Sequence, residues 1–252
     1  MTVLLRTEDL HKRFGDTRAV DGVNFTVNEG EFLSLVGTNG AGKTTLVNLI
    51  SAFLLPDSGR IFVGDRDISY LSVEERIRAG IARSFQLVNL FDDLTVLDNV
   101  ALAIFARERK TNRIFALADR DAAVIGEAME LLAEFGLRDK SGVFAGGLAQ
   151  GERKLLDVAV AYALRPRLLF LDEPTSGVST RDKAQIMDTV SSVVRNGKVT
   201  AVVIEHDMDV VFKYSDRVVV MHEGRFLADG PPEQIRRDPN VTMYLLGSDV
   251  SE

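Results

Sequence analysis

The residues with the clearest chemical potential lie at positions 37–44, which read GTNGAGKT. This is the pattern of a phosphate-binding loop: glycine, four variable residues, glycine, lysine, then serine or threonine. Gly40 and Gly42 let backbone N–H groups close around an anion, because side chains there would obstruct the cradle. The motif predicts that Lys43 reaches the β and γ phosphates of a nucleotide and that the Thr44 hydroxyl takes one position on Mg²⁺. The alternative is a glycine turn with a solvated lysine.

Two adjacent carboxylates supply the chemistry that such a loop requires. The apolar run Leu168–Leu171 leads directly into Asp172 and Glu173. A carboxylate at the end of a neighbouring strand holds Mg²⁺, which we assign to Asp172. Glu173 is placed to orient or deprotonate the attacking water. The alternative is an acidic helix cap before Pro174.

Composition restricts the classes of function that remain. The 252 residues carry 37 acidic and 30 basic side chains, a formal net charge of −7, which disfavours a nucleic-acid partner. There is no cysteine, so disulfides, thiolate zinc sites and cysteine nucleophiles are excluded. The first 14 residues lack the apolar centre of a secretion signal. The apolar runs fall far short of the roughly 20 residues that span a bilayer, so we expect any membrane role to act through a partner.

The elements that position these residues follow from hydrophobic periodicity. Phe32–Val36 predicts a buried strand entering the glycine-rich turn, and residues 44–55 predict a helix with Leu46, Ile50 and Phe53 at helical spacing. Residues 3–27 read as short strands and 60–68 as a hairpin. The first third is therefore expected to be rich in β-structure with one major helix.

The middle of the chain, from about 87 to 165, changes to helical periodicity. One apolar face there stops at Gly136 and consists of Val124, Ala128, Leu131, Leu132 and Phe135. Buried strands return at 168–171 and 200–204 with a helix at 180–195 between them, and 217–229 predicts a hairpin. The pattern as a whole predicts an α/β fold with an inserted helical lobe.

Three further segments identify a family. In order, the chain shows RSFQ ending at Gln86, LAQGE from Leu148 to Glu152, and IEHD containing His206. Together with the phosphate loop and the strand-end carboxylates, this ordered set resembles the ABC ATPase family. The resemblance implies a P-loop NTPase fold: a mostly parallel core sheet, an N-terminal antiparallel β subdomain and an inserted helical subdomain. It divides the chain into a core with its β subdomain, residues 1–86 and 166–252, and a helical subdomain, residues 87–165.

The resemblance also implies roles for individual residues. Gln86 would contact Mg²⁺ or the attacking water, and His206 would hydrogen-bond the γ phosphate. Phe14 lies where the family stacks an aromatic ring on adenine, although a core phenylalanine is an alternative. The implied catalytic residues are Glu173, His206, Gln86 and Lys43, and the implied metal ligands are Thr44, Gln86 and Asp172. The implied nucleotide contacts are Phe14, Ala19, Thr38, Asn39, Gly40, Ala41, Gly42, Lys43, Thr44 and Thr45.

The segment LAQGE departs from the family's signature, because Ala149 replaces serine and Gln150 replaces glycine, while Gly151 is retained. In the family this segment opens a helix that faces the nucleotide of a second subunit in a head-to-tail dimer. The residues implied to act across that dimer are Leu148, Ala149, Gln150, Gly151 and Glu152. Ser179 likewise replaces the usual aspartate, so communication across the dimer is expected to differ.

The run from Gly80 to Val100 and the ending Tyr244–Gly247 resemble ATP-binding subunits of branched-chain amino acid importers and their relatives for urea and amides. Residues 107–120 resemble the insertion of the longer of that group's two ATPase subunits, or are a solvated loop. The resemblance implies permease subunits that contact Phe91, a second and non-identical ATP-binding subunit, a solute-binding protein, and a peripheral location at the cytoplasmic face of the inner membrane. The alternatives are a lipopolysaccharide-export ATPase, a soluble non-transport ABC ATPase, and a cassette that binds ATP without turnover.

Overall fold

The computed structural model describes residues 2–84, 90–109 and 121–246. The strands in this part of the chain are β1 Val3–Phe14, β2 Thr17–Val23, β3 Thr26–Asn28, β4 Phe32–Val36, β5 Ser58–Val63, β6 Arg66–Asp67, β7 Ile81–Arg83, β8 Leu168–Asp172, β9 Thr200–Ile204, β10 Arg217–His222 and β11 Arg225–Gly230. The helices are α1 Lys43–Ile50, α2 Val73–Arg78, α3 Val96–Arg107, α4 Ala122–Glu134, α5 Gln150–Tyr162, α6 Thr180–Asn196, α7 Met208–Tyr214, α8 Pro232–Arg236 and α9 Pro239–Val241.

The strands form two sheets. One is antiparallel, with the order β2-β1-β5-β6 and β3 paired to β1. The other has the order β11-β10-β4-β9-β8-β7, and all of its pairs are parallel except β10 with β11. This confirms the predicted combination of an N-terminal antiparallel sheet and a mostly parallel core sheet.

Strand β8 shows how the parallel sheet is buried on both faces, as expected for strands linked by crossover helices. Leu169 and Leu171 pack into the cluster that contains the helices α3 to α6, whereas Leu168 and Phe170 pack into the cluster shared with α1 and the antiparallel sheet. All five residues of β8 are buried. The core sheet therefore packs between two apolar layers. This packing fixes the position of Asp172 at the end of β8.

Helices α3, α4 and α5 lie between β7 and β8 in the chain and form the helical lobe. The predicted apolar face of α4 is confirmed: Val124, Ala128 and Leu132 are buried and Leu131 packs partly buried against the same cluster. Gly136 follows the helix with φ 69°, a left-handed conformation that ends a helix readily only at glycine. The exact bounds of the subdomains stay a prediction.

One predicted helix was too long. Helix α1 ends at Ile50 and not at Leu55, because Ser51 caps it and Ala52 takes a left-handed φ of 67°. Phe53, which was expected on its buried face, is 49% exposed. Strand β7 was not predicted, since its three residues have no periodicity of their own and depend on pairing with β8.

Within the described ranges, we find no helix with the length and hydropathy to cross a bilayer. The segment 110–120 of the predicted insertion and Gly247 lie outside the described residues.

Candidate nucleotide site

The phosphate loop connects β4 to α1, as predicted. Gly40 and Gly42 have φ values of 81° and 106°, which are strained for any residue with a side chain. At Gly42 a Cβ would also lie 2.1 Å from the carbonyl oxygen of Ala19. The loop therefore requires glycine here both for its backbone conformation and for its close contact with β2.

Lys43 is 5% exposed, so the alternative of a solvated lysine is wrong. Its ammonium group donates to the carbonyl oxygens of Gly37 at 2.7 Å and Thr38 at 3.0 Å. Burial lowers the pKa of Lys43, and the negative charges of Glu173 and Asp172 oppose that shift. A buried cation at the end of a glycine-rich loop suits an anionic phosphate group.

A cavity of about 260 Å³ opens beside the loop. It brings together residues that are far apart in the sequence and that were assigned to one site: Ala19, Asn39, Gly40, Ala41, Gly42, Lys43, Thr44, Thr45, Glu173 and His206, with Ile204 in addition. Thr38 belongs to the same exposed loop. The exposed Thr44 is the second residue of α1, where the helix dipole favours an anion.

Glu173 and His206 meet at this cavity. The Nε2 atom of His206 lies 2.9 Å from Oε1 of Glu173, and the two side chains are 41% and 18% exposed. Glu173 has a left-handed φ of 48°, and its N–H donates to the carbonyl oxygen of Ile204 at 2.9 Å. No helix begins at Glu173, and the next one starts at Thr180, so the alternative of an acidic helix cap is wrong.

Asp172 is held by a partner that the sequence alone did not assign. Its Oδ2 atom accepts from Arg83 at 2.6 Å, and the two side chains are only 3% and 8% exposed. Arg83 also donates to Oδ1 of Asn48 at 2.5 Å, which joins β7, β8 and α1. The only signal in the sequence was the position of Arg83 in the segment RSFQ.

Glu205 is a second residue that sequence reasoning missed. Its carboxylate is 4% exposed and accepts from the N–H of Thr175 at 3.0 Å and from the hydroxyl of Thr175 at 2.7 Å. The other carboxylate oxygen accepts from the N–H of His206 at 3.2 Å. Glu205 thereby ties the segment after Glu173 to the segment that carries His206.

Phe14, at the end of β1, is 49% exposed, and the ammonium of Lys12 lies 5.8 Å from its ring centroid. The alternative of a core phenylalanine is therefore wrong. Phe14 does not line the 260 Å³ cavity, so its contact with adenine stays a prediction. Gln86 lies outside the described residues, and its predicted contacts with Mg²⁺ and water stay predictions as well.

The signature segment opens helix α5, as the resemblance implies. Ala149 is the N-terminal cap and has no side-chain acceptor, while its N–H donates to the carboxylate of Glu152 at 3.0 Å. Ala149 and Gln150 are exposed and do not line the cavity of their own chain, whereas Leu148 is buried. Helix α5 thus begins at exposed residues that lie outside the cavity of their own chain.

Comparisons with known proteins agree with this geometry. The family model described as ABC transporter matches residues 20–176. The chain is 37% identical over 250 residues to the high-affinity branched-chain amino acid transport ATP-binding protein BraF of Pseudomonas aeruginosa, covering 97% of this chain and 98% of that protein. It is 34% identical over 252 residues to the corresponding protein LivG of Escherichia coli K12, with the same coverage.

Among solved structures, the ADP conformation of an ATP-binding cassette of an ABC transporter is similar to this chain, with a TM-score of 0.87 and 30% identity, covering 98% of this chain and 100% of that one. The fold and the phosphate loop together define a P-loop ATPase. The chain belongs to the ABC transporter family, as one of its ATP-binding and ATP-hydrolysing cassettes.

Proposed function

We propose that this cassette energises the import of a branched-chain amino acid, or a related amide or urea compound, through membrane-spanning permease subunits. The observation that carries the proposal is similarity along 97% of the chain to two ATP-binding proteins of branched-chain amino acid transport. The alternatives of a lipopolysaccharide-export ATPase and a soluble non-transport ATPase have no comparable support.

The loop binds the nucleotide phosphates. Residues 39–44 line the cavity with a glycine-rich backbone, and Lys43 exchanges its bonds to two loop carbonyls for contacts with the β and γ phosphates. Phe14 stacks on adenine from the end of β1. Side chains at Gly40 and Gly42 would be strained by the positive φ there, and one at Gly42 would also clash with the carbonyl oxygen of Ala19.

Oxygen donors at the site suit Mg²⁺, which proteins bind through one or two carboxylates together with substrate phosphates. Thr44 lines the cavity, and Asp172 lies close enough for its charge to oppose the shift in the pKa of Lys43. The residues that would hold the ion are Thr44, Asp172 and Gln86, of which Thr44 lines the cavity and Asp172 does not. Bound there, Mg²⁺ would neutralise charge that develops on the phosphates.

Glu173 acts as the general base. Its side chain lines the cavity, where the carboxylate accepts the proton of the attacking water; in the structure Nε2 of His206 lies 2.9 Å from Oε1 of Glu173. When the γ phosphate is present, the Nε2–H of His206 turns to it and stabilises its charge. This exchange lets His206 sense whether the γ phosphate has been cleaved.

The working unit is a head-to-tail dimer with a second, non-identical cassette. The N-terminus of α5 supports this, because Ala149 and Gln150 are exposed and do not line the cavity of their own chain, and the helix dipole there suits a phosphate held by the partner. The serine hydroxyl of the signature is absent, and the remaining backbone donors carry the contact. A second cassette with a complete signature compensates for this loss.

An exposed apolar surface on the helical lobe is proposed to receive the permease at the cytoplasmic face of the inner membrane. Phe91, Val143 and Phe144 are 63%, 37% and 60% exposed, and their segments are joined by the N–H of Gly146 donating to the carbonyl oxygen of Asp92 at 3.1 Å. Large apolar side chains clustered on a surface mark interaction sites. A solute-binding protein would complete the importer and set its substrate.

The test is to purify the tagged chain from gently solubilised membranes of its native cell and to identify its companions by mass spectrometry. We expect two multi-span permeases and a second cassette. Recovery with only ribosomes, DNA or soluble proteins would overturn the transport function, and recovery with a lipopolysaccharide-export permease would favour that alternative.

A further inference from the structure

A buried lysine lies next to the site without lining the cavity. Lys154 lies in the second turn of α5 and is 4% exposed. Its ammonium donates to the carbonyl oxygen of Glu173 at 3.2 Å and to the hydroxyl of Ser176 at 3.1 Å. Burying an ammonium without hydrogen-bond partners is energetically costly, so these two contacts stabilise Lys154 in the protein interior.

The backbone of Glu173 needs such a partner. Its φ of 48° is uncommon for a residue with a side chain and persists only where the surroundings fix it. Its N–H donates to Ile204 at 2.9 Å, and its carbonyl oxygen accepts from Lys154 and from the N–H of Ser176 at 3.1 Å. Both backbone groups of Glu173 are therefore fixed, and its side chain is aimed at the cavity.

The same lysine belongs to the helix that begins with the signature segment. Lys154 follows Gln150 by four residues, which is about one helical turn. Gln150 in turn lies against the segment after Glu173, because a Cβ on Gly177 would be 3.2 Å from its Nε2 atom. The first two turns of α5 thus run along residues 173–177.

Lys154 also interacts electrostatically with four carboxylates around the site. Burial lowers the pKa of Lys154, and the charges of Asp157, Glu173, Glu205 and Asp172 oppose that shift. The cation thus lies in the field of the acidic groups around the site.

We propose that Lys154 is a positioning residue for Glu173: its ammonium fixes the Glu173 carbonyl and joins the position of the general base to that of helix α5. The inference rests on the proposed role of Glu173 as base. A shift of α5, whose first turn is presented to the partner subunit, moves Glu173 through this contact. This cassette therefore adjusts its own base when its signature segment engages the partner's nucleotide.

The test uses the assembled transporter and measures ATP turnover and nucleotide binding separately. Lys154→Met removes the cation and keeps the aliphatic stem. Because a misplacement of about 1 Å at the reacting groups can cost about a hundredfold in rate, we expect kcat to fall by about ten- to a hundredfold. KM and the Kd for ATP should stay within about twofold, and Lys154→Arg, which retains a cationic donor, should recover most of kcat.

One control variant and one further test variant accompany Lys154→Met. Lys198→Met alters an exposed lysine on the loop after α6 and should leave kcat unchanged. Ser176→Ala removes the second partner of Lys154, and should lower kcat at unchanged KM even if Lys154→Met does not fold.

Wild-type kcat in Lys154→Met, or in Ser176→Ala where the former does not fold, would overturn the inference. So would a parallel loss of kcat, ATP affinity and melting temperature in Lys154→Met and Lys154→Arg alike. Wild-type turnover in Glu173→Gln would instead refute the proposed base, a result independent of Lys154.

Discussion

At the scale of single residues, Lys43 and Glu173 are both held by contacts within the protein. Lys43 donates to two loop carbonyls, and Glu173 lies 2.9 Å from His206. These contacts order a cation and a carboxylate beside the same cavity. Their roles differ, because one binds charge and the other moves a proton.

That difference predicts that one substitution weakens ATP binding and the other slows ATP turnover. Lys43→Ala should raise the Kd for ATP by tenfold or more, because a hydrogen bond to a charged group contributes about 1.5–3 kcal/mol. Glu173→Gln should bind ATP normally and lose turnover by about a hundredfold or more, since only proton abstraction is removed. Equilibrium binding and single-turnover hydrolysis separate the two effects. Glu223→Gln, in the exposed turn between β10 and β11, is the matched control, and equal turnover in Glu173→Gln and wild type would contradict the assignment.

The ion pair of Arg83 with Asp172 predicts a large effect on stability. Arg83→Met should lower the free energy of unfolding by about 3–5 kcal/mol, because it leaves Asp172 charged, 3% exposed and without this partner. Arg78→Met breaks an exposed pair with Glu74 and should cost less than about 1 kcal/mol. Chemical denaturation of the two variants is the measurement. Similar midpoints for both would show that the buried pair contributes little.

At the scale of elements, hydrophobic periodicity and the positions of glycine predict the strands, helices and loops that depend on local sequence. The buried run of β4, the loop 37–44, the apolar face of α4 and the hairpin of β10 and β11 could all be placed in advance. The end of α1 could not, because Phe53 continues the helical spacing while Ala52 turns left-handed. The contact of Arg83 with Asp172 joins strands 89 residues apart, and nothing local indicates it.

Helix α4 allows a test of how glycine acts within an element. Gly126 lies inside the helix, and no atom lies within 4 Å of the place where a methyl group would stand, whereas Gly136 follows the helix at φ 69° with equal space. Gly126→Ala should therefore stabilise the protein by about 0.5–1 kcal/mol through helix propensity. Gly136→Ala adds the same methyl and should destabilise by about 1–2 kcal/mol through left-handed strain. Urea denaturation measures both, and a shift of the same sign in the two variants would contradict this explanation.

At the scale of the whole molecule, the site and the exposed apolar surface lie on different parts of the fold. The nucleotide cavity forms at the ends of β4, β8 and β9, while Phe91, Val143 and Phe144 belong to segments that flank helices of the lobe. Helix α5 connects the two regions, since it follows residues 143–147 and contacts residues 173–176 through Lys154. Helix α5 is therefore the element through which we expect a contact on the lobe to reach the nucleotide cavity.

This arrangement predicts that transport and nucleotide binding can be separated by one substitution. Phe91→Asp places a charge on the exposed apolar surface, where the side chain is 63% exposed, so it should not disturb the core. Solute uptake should fall by tenfold or more while the Kd for ATP stays within about twofold, because the cavity is untouched. Tyr70→Asp, at a side chain 70% exposed outside this surface, serves as the matched control and should transport normally. Reconstituted vesicles report uptake and binding in one preparation; unchanged uptake in Phe91→Asp would rule out this surface as the contact through which ATP drives transport.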